Sequence, residues 1–160
     1  MAERAVINAS PLIFLSRSHH LDLLRCIAQT IWVPEPVADE IMQRGTQDPT
    51  ARAIEDTAWL VIRTVADTPT TILEWRLGAG ESATLALAHA QGLEAIIDDL
   101  AGRKCAASLG IPVRGTLGTV LLAKKRGAIP KARPVIEDMM AAGLYLSTAV
   151  VNEALRRVGE

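Results

Sequence analysis

The stretch "EAIIDDLAGRKCAASLGIPVRG", residues 94–115, carries the fold in its pattern. "EAIID" (94–98) is a short apolar run with β-branched residues and reads as a strand. "LAGRKCAASLG" (100–110) reads as a helix that Gly110 closes, and "IPVRG" (111–115) as another brief strand. The same alternation runs outward on both sides. Upstream, "RAVIN" (4–8), "TIWVP" (30–34) and "WLVIRTV" (59–65) read as strands, the last as a possible edge. Helical patterns separate them at 10–17, 21–29, 35–44, 48–57 and 80–92, the first with Ser10 as N-cap and Pro11 at its first position. Downstream, "TLGTVLLAKKRG" (116–127) reads as a helix whose basic last turn complements its dipole. Two further helices fill the tail, one opening at Pro134 and one capped by Ser147. Strands alternating with helices predict an α/β fold built on a mostly parallel sheet. No repeat, low-complexity tract or linker divides residues 1–160, which are expected to form one domain.

Composition narrows the function. The chain has 160 residues, 49% of them hydrophobic, with 17 basic and 18 acidic side chains. A net charge of -1 argues against holding nucleic acid by bulk positive charge alone, and leaves room for a local basic patch such as Lys124-Lys125-Arg126. Cys26 and Cys105 are far apart in apolar segments and lie in no CxxC, so they read as small buried hydrophobes. No apolar run approaches the roughly 20 residues that span a bilayer, and a soluble cytoplasmic protein is expected.

The chemistry concentrates in oxygen donors. In a parallel α/β sheet, ligands bind beyond the carboxyl ends of the strands. Asn8 closes the first strand, and Asp98 and Asp99 close the strand at 94–98. Glu40 stands beside the apolar stripe of the helix after "WVP", and Glu81 in the first turn of the helix that follows "GAG". Each has an ordinary reading alone: a solvated face for Glu40, dipole complementarity for Glu81, a strand end and helix cap for Asp98 and Asp99. Together they are hard donors suited to Mg²⁺ or Mn²⁺. Ser10 and Thr116 are candidate contacts to a ligand or metal-bound water, with helix capping as the simpler role for both. Arg103 is a candidate phosphate contact, or a solvated or paired arginine. His19 and His20 are adjacent and lack ligand spacing, and the five aromatics form no basic-aromatic stripe.

"VINASPLIFL", "VPEPVADEI", "GAGESATLALA", "IIDDLAGRKCAASLGIPVRGTLGTVLLAKKRG" and the "AAGLYLS…NEALR" tail, in that order and spacing, resemble PIN-domain proteins, in particular the short prokaryotic branch that includes VapC-like proteins. The resemblance runs from about residue 5 to residue 157. It implies a three-layer α/β/α sandwich with a parallel sheet of four or five strands and extra C-terminal helices. It also implies metal-dependent ribonuclease chemistry, often as the toxin of a toxin–antitoxin pair, and a homodimer. The family's acidic positions fall on Asn8, Glu40, Glu81 and Asp99, with Asp98 as an assisting neighbour. Asn8 departs from the family pattern, which has an aspartate there. One negative charge is lost, and metal affinity should fall. The alternative reading is therefore a catalytically weakened or inactive PIN-like module that binds RNA or a protein partner. A phosphoacceptor receiver would need its acid pair after the first strand, and "GAG" at 78–80 is neither GxGxxG nor GxxxxGK[ST], so neither of these α/β alternatives fits.

Overall fold

A computed structural model describes residues 1–160. Five strands form one sheet: β1 (Ala2–Ile7), β2 (Ala28–Pro34), β3 (Leu60–Arg63), β4 (Glu94–Ile96) and β5 (Val113–Arg114). Their order is β3-β2-β1-β4-β5, and every neighbouring pair is parallel. Connections from β1 step outward to β2 and β3, then the chain returns to lay β4 on the other side of β1. The sheet therefore reverses direction between β1 and β4, and at such a switch point the loops diverge and leave a crevice.

Nine helices cover the two faces: α1 (Ala9–Arg17), α2 (Glu35–Met42), α3 (Pro49–Asp56), α4 (Thr70–Leu73), α5 (Ala79–Gln91), α6 (Leu100–Ser108), α7 (Thr116–Lys125), α8 (Ala132–Ala141) and α9 (Thr148–Arg157). Because strand side chains alternate, each strand feeds two cores. Ala5, Ile7, Ile31, Val33, Leu60 and Ile96 turn to the larger one, under α1, α2, α3, α7 and α8. Val6, Trp32, Ala95 and Ile97 turn to the other, against α4, α5 and α6. This is the three-layer sandwich with extra C-terminal helices. No helix is long and apolar enough to cross a membrane.

Several local expectations change. Ala9, not Pro11, is the first residue of α1, and Asn8 holds the N-cap position assigned to Ser10. The segment 21–29 splits into a 3-10 helix, Leu21–Cys26, and the start of β2 at Ala28. Pairing with β1 from Ala2↔Ala28 draws those residues into the sheet against their helical pattern. β4 stops at Ile96, so Ile97, Asp98 and Asp99 form the turn into α6. α8 opens at Ala132 rather than Pro134, because Glu160 caps it: its Oε2 accepts from Ala132 N–H at 2.6 Å. Ser147 caps α9 as expected, accepting from Val150 N–H. Cys105 is buried and burial raises its thiol pKa, whereas Cys26 is only half-buried.

Asp48 ties α3 to α1. Its Oδ2 accepts from the N–H groups of Thr50 (3.0 Å) and Ala51 (3.2 Å), and Oδ1 lies 3.5 Å from Arg17 Nη2. Desolvation pushes its carboxyl pKa up, but the two backbone donors and the Arg17 guanidinium outweigh it and leave the value lowered. Replacing this cap, Asp48→Ala, is expected to lower the unfolding free energy at pH 7 by about 1 kcal/mol in urea titrations. A depressed carboxyl contributes its stability in full above the unfolded value of 3.8 and loses it as the pH falls through the folded one. The two urea midpoints should therefore converge in strong acid.

Candidate metal and nucleic-acid site

Asn8 is the first residue past β1. Its backbone N–H continues the ladder to the Ile96 carbonyl at 2.9 Å, which leaves the side chain at the switch point. The residue is 2% exposed, and its Oδ1 has no hydrogen-bond partner. An orphaned buried acceptor costs about 1–3 kcal/mol, so its retention asks for an explanation.

The surroundings supply one. α5 packs on α2, and Gly80 in its first turn lies at that contact. A Cβ on Gly80 would lie 3.2 Å from Asn8 Oδ1, 3.3 Å from Glu40 Oε2 and 3.3 Å from Val37 Cγ2. The missing side chain thus leaves a small gap bordered by two oxygens, one buried and neutral, the other a carboxylate. Outside it lies a cleft of about 410 Å³ between α2 and the start of α5, lined by Asp39, Glu40 and Glu81. Glu81 does not reach toward Asn8. Its Oε2 folds back over Gly78, 2.4 Å from where a Cβ there would sit. Asp39, which the sequence marks only as the acidic neighbour of Glu40, joins Glu40 and Glu81 in the lining of that cleft.

The acid pair at 98–99 divides its labour. Asp98 is fixed by one residue: Oδ1 accepts from Thr116 N–H at 2.7 Å and Oδ2 from Thr116 Oγ1 at 2.6 Å. The Thr116 hydroxyl therefore does not cap its own helix; Gly115 holds the N-cap position of α7. Asp99, exposed, is the N-cap of α6, its Oδ2 accepting from Gly102 N–H at 2.8 Å. Arg103, one turn into α6, reaches the same corner. Its Nη1 and Asp98 Oδ1 lie 3.3 and 3.0 Å from the position a Cβ on Gly115 would take. Ser10 lies half-buried in the first turn of α1.

The expected donors are thus gathered on one edge of the sheet but in two groups, Asn8 and Glu40 with Glu81 nearby, and Asp98 with Thr116 and Arg103. No three His, Cys, Asp or Glu side chains stand close enough to enclose an ion. The donor set still fits a hard divalent cation. Mg²⁺ is commonly held by one or two carboxylates with retained waters and substrate phosphate, and the unpartnered Asn8 Oδ1 beside Glu40 is such a partial shell. Trp32 adds nothing to base binding. Trp32 is 5% exposed, and Arg4 and Arg63 cover its ring, their Cζ atoms 4.9 and 4.4 Å from its centroid.

A family model described as PIN domain (DUF3368) matches residues 4–160. Among solved structures, the chain is similar to a PilT N-terminus domain protein from the hyperthermophilic archaeon Sulfolobus solfataricus P2. The two share 13% identity with a TM-score of 0.50, over 90% of this chain and 97% of that one. At that identity the likeness concerns the fold. No curated protein matches the sequence.

Gly80→Ala is the local test of the gap. Helix propensity favours alanine by about 1 kcal/mol, against crowding at the Asn8 and Glu40 oxygens, so stability should change by no more than about 1 kcal/mol. Mn²⁺ affinity, read by calorimetry, should fall by about tenfold or more.

Proposed function

Because the chain belongs to the PIN-domain family, generally a nuclease fold whose members typically use divalent metal ions, we propose that it is a Mg²⁺- or Mn²⁺-dependent ribonuclease acting at the carboxyl edge of its sheet. The observation that carries this reading is the unpartnered Oδ1 of Asn8, buried beside Glu40 where the strand order reverses. A bound divalent ion supplies Lewis-acid polarisation of a phosphodiester and a more acidic water. Glu40 contributes the carboxylate that makes the gap attractive to a cation, and Asn8 an uncharged oxygen that adds no repulsion to it. Glu81 adds negative charge at the mouth of the same cleft. Asp98, held by Thr116, presents a fixed carboxylate on the β4 side. Asp99 spends one oxygen on the start of α6 and positions that turn. Arg103 offers its guanidinium to the phosphate, and Ser10 a hydroxyl beside Asn8. Hydrolysis breaks the P–O3′ bond, with water entering at phosphorus and a proton going to the leaving 3′ oxygen, giving a 5′-phosphate. Within this reading the partners are RNA, a second copy of the chain and an antitoxin protein.

Asn8 also supports a second reading, a PIN module that has lost charge and binds RNA or a protein partner without cutting. Replacing an aspartate by a neutral amide weakens a site in which no three acids converge.

Mn²⁺ calorimetry and cleavage of single-stranded RNA separate the two. For a working nuclease, wild type binds Mn²⁺ and cuts, Glu40→Gln and Asp98→Asn lose about 10²-fold or more in rate, and Asn8→Asp binds more tightly. Equal cleavage by wild type and Glu40→Gln would mean a contaminating enzyme and sink the proposal. Binding seen only with Asn8→Asp would select the second reading. Asn8→Asp also places two carboxylates at one buried gap. It should be less stable than wild type in EDTA near neutral pH, regain stability as acid neutralises the added group, and recover with Mn²⁺.

A further inference from the structure

A groove of about 480 Å³ opens at Asp98 and runs along α7 between β5 and α9. Three features give it a chemistry. One stretch of its lining is apolar, formed by Leu117 and Leu121 of α7 with Val150 of α9, and polar side chains share the rest. At its Asp98 end stands Arg103. The other two arginines of the groove are committed, Arg114 to Glu94 at 3.2 Å and Arg157 to Glu153 at 3.3 Å, but Arg103 forms no ion pair. On its rim is Tyr145, 89% exposed. That exposure is imposed by the neighbours. Gly143, at φ +113, turns the chain out of α8, and Leu144 and Leu146 pack against the core on either side, so the ring between them is driven outward.

We propose that this groove is a subsite for one or two nucleotides of single-stranded RNA. The base stacks on Tyr145 above the Leu117–Val150 wall, and Arg103 takes the phosphate that adjoins Asp98. The inference rests on the nuclease reading for its direction, since it places the strand so that it leads into the acidic edge. Single strands are held by this pairing of a cationic contact with an aromatic platform. The guanidinium left without an ion pair at the Asp98 end favours an anionic strand, although interfaces with helices also use tyrosine and arginine. A helical peptide is accordingly the competing occupant that the experiment must exclude.

The probe is a short single-stranded RNA carrying 2-aminopurine, titrated in EDTA so that nothing is cut, with quenching and anisotropy both recorded. Tyr145→Ala is expected to weaken binding by about tenfold and to abolish quenching, while Tyr145→Phe retains both. Arg103→Gln should weaken binding and reduce the slope of log affinity against log salt by about 0.7, one phosphate contact. Because Tyr145 is exposed, its variants should fold as wild type does. Unchanged affinity and quenching in Tyr145→Ala would overturn the proposal. So would a wild type that ignores RNA but shows slowed hydrogen exchange along α7 and α9 with an amphipathic helical peptide. RNA held through Tyr145 yet never cut with Mn²⁺ would retain the subsite and remove the nuclease reading. Mn²⁺-dependent cleavage with the same KM in wild type and Tyr145→Ala would do the reverse.

Discussion

The backbone N–H of Asn8 donates to the Ile96 carbonyl at 2.9 Å, and the carboxyl edge of the sheet is organised around that bond. It extends the β1–β4 pairing one residue past Ile7↔Ile96, across the place where strand order reverses. Asn8 is thereby held at the end of a strand and at the N-cap position of α1 at once. The packing around this corner, rather than a capping bond of its own, keeps its side chain from solvent. A polar group fixed in this way, 2% exposed, must face whatever the packing brings opposite, which is Gly80 and the Glu40 carboxylate. The small-residue start of α5 is what allows the approach. Any side chain at residue 80 would occupy the gap.

Charge at this edge is distributed rather than concentrated. Asp98 is satisfied by the Thr116 N–H and hydroxyl, so its carboxylate is compensated by fixed dipoles in the absence of a cation. Asp99 faces the N-terminus of α6, where backbone amides favour negative charge. Glu40 and Glu81 are partly open to water. With Asn8 neutral, the fold tolerates its acidic edge without a counter-ion. An edge of hard oxygen donors can therefore coexist with ordinary hydrogen bonding, and the uncharged Asn8 adds no repulsion to it.

The two ends of the edge differ in what they offer. The α2–α5 cleft is acidic and small, suited to an ion. The α7–α9 groove mixes apolar side chains with three arginines, of which Arg103 is in no ion pair. The turn from β4 into α6 joins them, contributing Asp98 to one side of the corner and Arg103 one turn later. Of the side chains lining the groove only Asp98 is acidic, while Glu94 and Glu153 stand beside it, engaged by Arg114 and Arg157.

Much of this was legible in the chain. Short β-branched runs alternating with helical patterns predicted an α/β fold on a mostly parallel sheet, because parallel strands need helices to connect them, and the three layers followed from the resemblance to PIN domains. The fold rule for parallel sheets put Asn8, Asp98 and Asp99 at strand ends on one edge, with Glu40 and Glu81 on helices that follow the same rim. The sequence could not show that Ala28 and Gln29 would be drawn into β2, nor that Thr116 would serve Asp98 instead of its own helix. Nor could it show that Glu81 would turn back over Gly78 or that Tyr145 would stand outside the core. Periodicity reports which face of an element is buried, a local property of hydropathy. Which side chains then meet depends on strand register, helix crossing and the gaps left at glycines, and those are set only when distant segments pack.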